Sequence, residues 1–429
     1  MKHITIAGRR NSLTQICARF VLLAMVPAVN LLAQSGSSMT TVSSLTYTNP
    51  LGISIGDPDV LQVPGRYYIC GTGGSTFTST DLVNWISVGN TMPVWETNCW
   101  FNGAFWAPEV YHVKDKFYMF FSAQWTNNPT REQENFRVGV AVADNPSGPF
   151  KCLMNGPIFD PGYPAIDADV LFDADGRIYL YYSRCCYKHS VESELADWAK
   201  AKGWYTNIEE SWIYGVELKP DFSGIIGEPV MLLRPPEKLS DPQSAWEDLS
   251  VTTHTVNRRW TEGPSSFKHG KTYYIMYAAN SVAAGGDYAT GYATSDKPLG
   301  SSKKAANNPL IYRNTASGGN VTTTAHTCWT MSPDGTEMFV LYGGVVVKKS
   351  DANRTSAAST ASEAVTATGN TPAPGATNAT GIRRARPGGF ARRVLFLDRM
   401  VIMPDGTLIA HSPTITPQPY PSADKSSKK

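Results

Sequence analysis

The sequence predicts an all-β fold, a five-bladed β-propeller, on three observations. Strand signals dominate from residue 45 onward, and helical periodicity surfaces only around "VESELADWAKAKGW", 191 to 204. One pattern recurs five times: a short strand, a tight turn, then a run rich in Tyr, Phe, Ile and Val. The copies are spaced by roughly 50 residues or more, which in all-β units signals blades around an axis. A stacked solenoid fits less well, because the spacing is uneven and the insertions are large.

The first copy is "DPDVLQVPGRYYICGT" from Asp57, turning at Pro64-Gly65 and followed by "FTSTDLVNW". The second is "APEVYHVKDKFYMFFSA" from Ala107, turning at Asp115-Lys116, with "VGVAVADNPSGPF" after it. The third, "DADVLFDADGRIYLYYS" from Asp167, turns at Asp175-Gly176; Asp-Gly between β-rich runs is a strong hairpin signal. The stretch between Ser183 and Trp260 then reads as a long insertion, 184 to 258. The fourth copy is "EGPSSFKHGKTYYIMYAA" from Glu262, turning at His269-Gly270 and continued by "GYATSDKPLG". The fifth, "HTCWTMSPDGTEMFVLYGG" from His326, turns at Asp334-Gly335. It is interrupted by an Ala-, Thr- and Ser-rich segment, expected to be disordered over 350 to 386, and is completed by "RRVLFLDRMVIMPDGTLIAH". The propeller domain so drawn spans 45 to 415, and 416 to 429 is expected to be a disordered tail.

Composition narrows the partners. The net charge is only +2 over 429 residues, and the one locally basic stretch is "GIRRARPGGFARR", so no nucleic acid partner is implied. Residues 1–33 carry Lys2, Arg9, Arg10 and Arg19, then the short apolar run "VLLAMVPAVNLLA", the layout of a signal peptide. Export to the periplasm or medium is therefore expected; no later run is apolar enough for a membrane span. Of seven cysteines, Cys17 lies in the leader. The other six have no CxxC pair and no zinc-like spacing, and read mostly as small buried apolar residues. Asn320, Asn353 and Asn378 stand in N-x-Ser/Thr sequons.

In a propeller the first strand of each blade lines the central channel, so equivalent positions of the five copies converge on one axis. Those positions are Asp57, Trp106-Ala107, Asp167, Glu262 and His326. Charged residues make up only 17% of the chain, so three carboxylates at equivalent positions point to function rather than to turn formation. Two opposed carboxyl groups are the minimum for cleaving a glycosidic bond, one protonated as acid, one ionised as base or nucleophile. A third nearby carboxylate raises the acid's pKa by like-charge repulsion. His326 is read either as a satisfied structural imidazole or as a ligand for a cation or a water chain. Asp173 and Asp175 fail the spacing of a calcium loop and read as turn residues. Among Trp95, Trp100, Trp106 and Trp125, only Trp106 adjoins an axial position. It is expected to contact sugar; the other three are expected to pack.

These pieces together resemble glycoside hydrolase family 43, five-bladed enzymes that trim arabinose- and xylose-containing plant polysaccharides. The matching segments are "NPLGISIGDPDV", "FWAPEV", "IDADVLFDADGRIYLYYS", "TEGPSSFKHGKTYYIMYA", "AHTCWTMSPDGTEMFVLYGG" and "RRVLFLDRMVIMPDGTL", in the family's order from about 45 to 415. The resemblance implies that Asp57 is the general base, Asp167 the carboxylate that tunes and orients the acid, and Glu262 the general acid. It implies that Trp106 lies by the sugar, that Arg393 contacts it, and that His326 helps bind an axial Ca2+ or other cation. It further implies inversion at the anomeric carbon and arabinan, arabinoxylan or their oligosaccharides as substrate, with α-L-arabinofuranosidase slightly favoured over β-xylosidase or endo-arabinanase. The chain departs from the family in having Ala325 where a glycine often precedes the histidine. Fructan-cleaving relatives are expected to begin with Asn-Asp-Pro-Asn, whereas Asp57-Pro58 is followed here by Asp59. A non-catalytic sugar-binding propeller is the reading from another class, and retention of all three carboxylates argues against it.

Overall fold

A computed structural model describes residues 45–93, 100–129, 131–132, 134–201, 206–247, 256–280, 282, 287–348 and 392–423. The leader, Cys99, Trp95 and the 350–386 segment lie outside them. Each of the five copies heads one four-stranded antiparallel sheet. The innermost strands are Asp59–Val63, Phe101–Val113, Ala165–Phe172, Thr261–His269 and Val321–Met331. The fold is thus a five-bladed propeller, almost entirely strand.

The core lies between blades. Period-two alternation gives each sheet two faces, and both are apolar because each meets a neighbour. Leu61 and Cys70 of the first blade pack on Met119 and Phe121 of the second. Val140 and Phe120 of the second meet Val170 and Leu180 of the third. Ile213 of the third meets Tyr277 and Ala293 of the fourth, and Met276 of the fourth meets Val340 and Phe396 of the fifth. Val60 and Ile69 close the ring on Phe339 and Leu341. Each fully buried large apolar side chain contributes about 1.5–3 kcal/mol of transfer free energy, so every blade is held from two sides.

Two expected boundaries move. The 184–258 stretch is not one insertion: Trp212–Leu218 and Ile225–Leu233 are the third and fourth strands of blade three. They escape the repeat pattern because that pattern marks only a blade's first two strands. What is added is the helix Glu194–Ala201 and a parallel pair, Asn207–Glu210 with Val256–Arg259. The tail expected to be disordered from 416 is ordered in its first part. Gln418–Pro419 pairs with Thr46–Tyr47, and Arg399 Nη2 donates to the carbonyls of Pro419 and Tyr420 at 3.1 and 3.2 Å. Backbone pairing and a guanidinium, rather than apolar pattern, hold this segment.

The N-terminal segment also ties the first blade to the last. Leu51 N donates to Leu395 O, Leu395 N to Ile53 O, and Ile55 N to Arg393 O, at 2.9, 3.0 and 3.1 Å. This pairing brings Arg393, some 340 residues later in the chain, beside Asp57.

Candidate active site

The axial strands share an unusual backbone feature. Asp57, Ala107, Asp167, Gly263 and His326 all have left-handed φ, 50, 42, 57, 55 and 59°. Pairing with the second strand slips at this point in four blades, between Trp106 and Glu109, Ile166 and Asp169, Glu262 and Ser265, and on both sides of Ala325, as far as Thr327. A bulge re-aims side chains and presents two successive residues on one side. Left-handed non-glycine residues cost about 1–3 kcal/mol each and cluster at functional sites. The expected alignment therefore shifts by one at the fourth blade: Gly263, not Glu262, matches Asp57 and Asp167. Glu262 matches Gly56, Trp106, Ile166 and Ala325. The clue stands in the sequence as Asp57-Pro58, Ala107-Pro108 and Gly263-Pro264.

Because both bulge residues face inward, one cavity of about 500 Å³ gathers Asp57, Trp106, Asp167, Glu262, His326 and Arg393. All six residues expected to form the site are brought together.

Asp57 sits among cations and donors. Arg393 Nη1 lies 2.7 Å and His326 Nδ1 3.2 Å from its Oδ1, and Thr72 Oγ1 donates to Oδ2 at 2.5 Å. Burial pushes its pKa up, but Arg393, His326 and Thr72 outweigh that and hold it well below the usual carboxylate range. Arg392, its neighbour in sequence, is exposed and donates to Ser54 Oγ instead, which places Arg393 and not Arg392 in the site.

Glu262 has the opposite surroundings. It is 7% exposed, and the Tyr288 hydroxyl donates to its Oε1 at 3.1 Å. Burial first, then the Asp167 charge, push its pKa well above the ordinary glutamate value. Asp167 is pushed up to about 6, by burial against the opposing pull of His326, the Gly263 N–H and Ser183. Its Oδ2 accepts from Gly263 N at 3.3 Å and Ser183 Oγ at 3.4 Å.

A row of hydroxyls that the sequence reading missed supports these turns. Thr72 Oγ1 accepts from Ala107 N at 3.0 Å, Ser122 Oγ from Asp167 N at 2.9 Å, and Ser183 Oγ from Gly263 N at 3.0 Å. In each case a hydroxyl at the end of one blade's second strand caps the left-handed residue of the next blade. The recurring Thr or Ser closing "CGT", "FFS" and "YYS" was the available signal.

Trp106 stacks on Phe136, centroids 4.0 Å apart and 24° from parallel, and lines the cavity. Trp100 packs on Phe121 in the core, and Trp125 lies under Arg137, as packing residues. Tyr187, Arg258, Trp260 and Tyr288 also line the cavity and were not foreseen.

The residues present do not make a direct calcium site at His326. Its Nδ1 faces Asp57, whose Oδ1 already takes the Arg393 guanidinium. Among the described residues no three His, Cys, Asp or Glu side chains are grouped to hold a metal. Cys70, Cys185, Cys186 and Cys328 are buried and Cys152 is half-buried.

A family profile, Glycosyl hydrolases family 43, matches residues 47–362 of the chain. The chain belongs to this family. A crystal structure of a thermostable family-43 glycoside hydrolase is similar, with TM-score 0.66 and 30% identity over 88% of this chain and all of that one. An extracellular endo-α-(1→5)-L-arabinanase 2 of Bacillus subtilis (strain 168) is 30% identical over 30% of this chain and 33% of its own. A β-D-galactofuranosidase of Aspergillus niger is 24% identical over 74% of this chain and 80% of its own. The match to the arabinanase thus spans about a third of that relative's length.

Proposed function

We propose that this family-43 chain is an exported inverting glycosidase that cleaves arabinosyl or xylosyl linkages of plant polysaccharides, an α-L-arabinofuranosidase in the favoured form. The observation that carries it is the split between two carboxyl groups in one cavity: Arg393, His326 and Thr72 hold the pKa of Asp57 down, while burial and the Asp167 charge push that of Glu262 up. Pairs of titratable groups pushed apart in pKa mark acid and base roles.

Glu262 donates its proton to the glycosidic oxygen as the bond to the anomeric carbon breaks. Asp57 accepts a proton from a water that attacks the opposite face, so the configuration inverts. Asp167 keeps the Glu262 proton in place through its charge, and Ser183 and the Gly263 N–H hold Asp167. Arg393 and Thr72 orient Asp57, and Trp106 offers a flat face to the sugar being released. The Bacillus relative's name, extracellular, supports export and arabinan as substrate for this chain as well. The Aspergillus relative makes a galactofuranoside the control sugar, since furanose rings share a shape.

The test is a panel of aryl α-L-arabinofuranosides, β-D-xylosides and β-D-galactofuranosides plus linear arabinan, with the first-formed anomer read by NMR. Turnover of a pentoside with inversion is expected. Oligosaccharide binding without turnover favours the binding-module reading, and Glu262→Gln leaving turnover unchanged removes the acid assignment.

A further inference from the structure

We infer that the extended segment 258–262 builds a separate subsite for the leaving-group sugar, with Trp260 as its platform and Arg258 as its outer edge. The inference rests on Glu262 being the proton donor, since the leaving group departs on the acid's side.

Successive side chains of an extended segment alternate between faces. Arg258, Trp260 and Glu262 all line the cavity, whereas Arg259 and Thr261 between them are fully buried on the other side. The three form a row at about 6.6 Å per step, from a strand rise of about 3.3 Å per residue. Exposure rises outward along it, from 7% at Glu262 and 9% at Trp260 to 26% for the Arg258 side chain. A sugar bonded to the oxygen that Glu262 protonates, and extending toward solvent, passes Trp260 first.

The row is held by the chain added to blade three. Arg259 is anchored by Glu210 at 2.9 Å, both fully buried, and Ser211 N donates to Arg259 O at 2.8 Å. Arg258 Nε donates to Glu209 at 2.8 Å, and its guanidinium lies 4.9 Å from the Tyr187 ring centroid. Tyr187 in turn meets Trp260 edge-on, centroids 5.8 Å apart at 81°. A flat aromatic ring lining the cavity beside a guanidinium suits a neutral sugar ring. Because Glu209 already neutralises Arg258, the subsite takes an uncharged pentosyl unit rather than a uronic acid.

The test compares kcat/KM for a methyl glycoside, which offers no leaving-group ring, with that for the matching disaccharide. The pairs are methyl α-L-arabinofuranoside with α-1,5-arabinobiose, and methyl β-D-xyloside with β-1,4-xylobiose. In Trp260→Ala the disaccharide-to-methyl ratio is expected to fall about tenfold, and in Arg258→Met about threefold. Trp260→Leu, which keeps apolar volume but removes the ring, carries the same expectation should the alanine variant not fold. A wild type that cleaves one pair, with a ratio unmoved by loss of the ring, overturns the subsite alone. A wild type that cleaves neither pair overturns the proposed function and the subsite with it.

Discussion

The two sides of the cavity treat a carboxyl group in opposite ways. On the seam between blades one and five, Asp57 meets Arg393, His326 and Thr72. On the wall between blades three and four, Glu262 meets Tyr288, the charge of Asp167 and apolar surface. Burial acts on both groups and raises both pKa values; the sign of the outcome is decided by the neighbours. The seam supplies cations because the N-terminal segment pairs with the strand after Arg393. Among the described residues the wall supplies none that pairs with Glu262, and the nearby Arg258 is engaged by Glu209. One fold thus pushes two carboxyl groups of one cavity in opposite directions by closing its ring at one and not at the other.

Removing either group abolishes the difference, so the largest effects are expected there. Glu262→Gln and Asp57→Asn should each lower kcat by about 10²–10⁴, the usual contribution of a positioned acid or base, measured on a substrate with a poor leaving group. Equal turnover in Asp57→Asn would assign the base elsewhere. Next, Arg393→Leu removes the cation that holds Asp57 down. In its proposed role as base Asp57 works ionised, so activity is expected to be lost as pH falls through its pKa. In the wild type that limb lies below the range usually assayed; in the variant it should rise into it, seen as a new acidic limb in kcat/KM.

Asp167→Asn tests the other side. In its proposed role as acid Glu262 works protonated, so activity is expected to be lost as pH rises through its raised pKa. Taking away the Asp167 charge lowers that pKa, and the basic limb should move to lower pH by about one unit, the scale of a single nearby charge; an unmoved limb would leave burial alone as the cause. The smallest effect is expected from Gly56→Ala. A Cβ there would come 2.5 Å from Arg393 Nη2, so the guanidinium must shift away from Asp57. A loss of about three- to tenfold in kcat/KM, with an acidic limb displaced in the same direction as in Arg393→Leu, would sharpen the seam's role.

Much of this site is written along the chain. Asp57, Asp167 and Glu262 are visible because hairpin signals recur and align them, and "WTEGP" places Trp260 two residues before the acid. The alignment errs by one at Glu262, because a bulge makes two neighbouring residues face the axis and a strict period of two cannot register that. Thr72, Ser122 and Ser183 were passed over because a hydroxyl closing a strand looks like any strand end until the next blade is set against it.

What the sequence by itself determined is the number of blades, the carboxylates at their heads and the aromatic runs that bury the interfaces, since hairpin chemistry and apolar alternation act locally. The tertiary structure alone decided which carboxyl group is ionised. That depends on Arg393 arriving beside Asp57 through pairing across the closed ring, and on Glu262 packing where burial and the Asp167 charge outweigh the more distant pull of Arg393. It also decided that 212–233 belongs to blade three and that 258–262 forms a wall, because outer strands and return segments carry no repeat of their own and are placed by what they pair with.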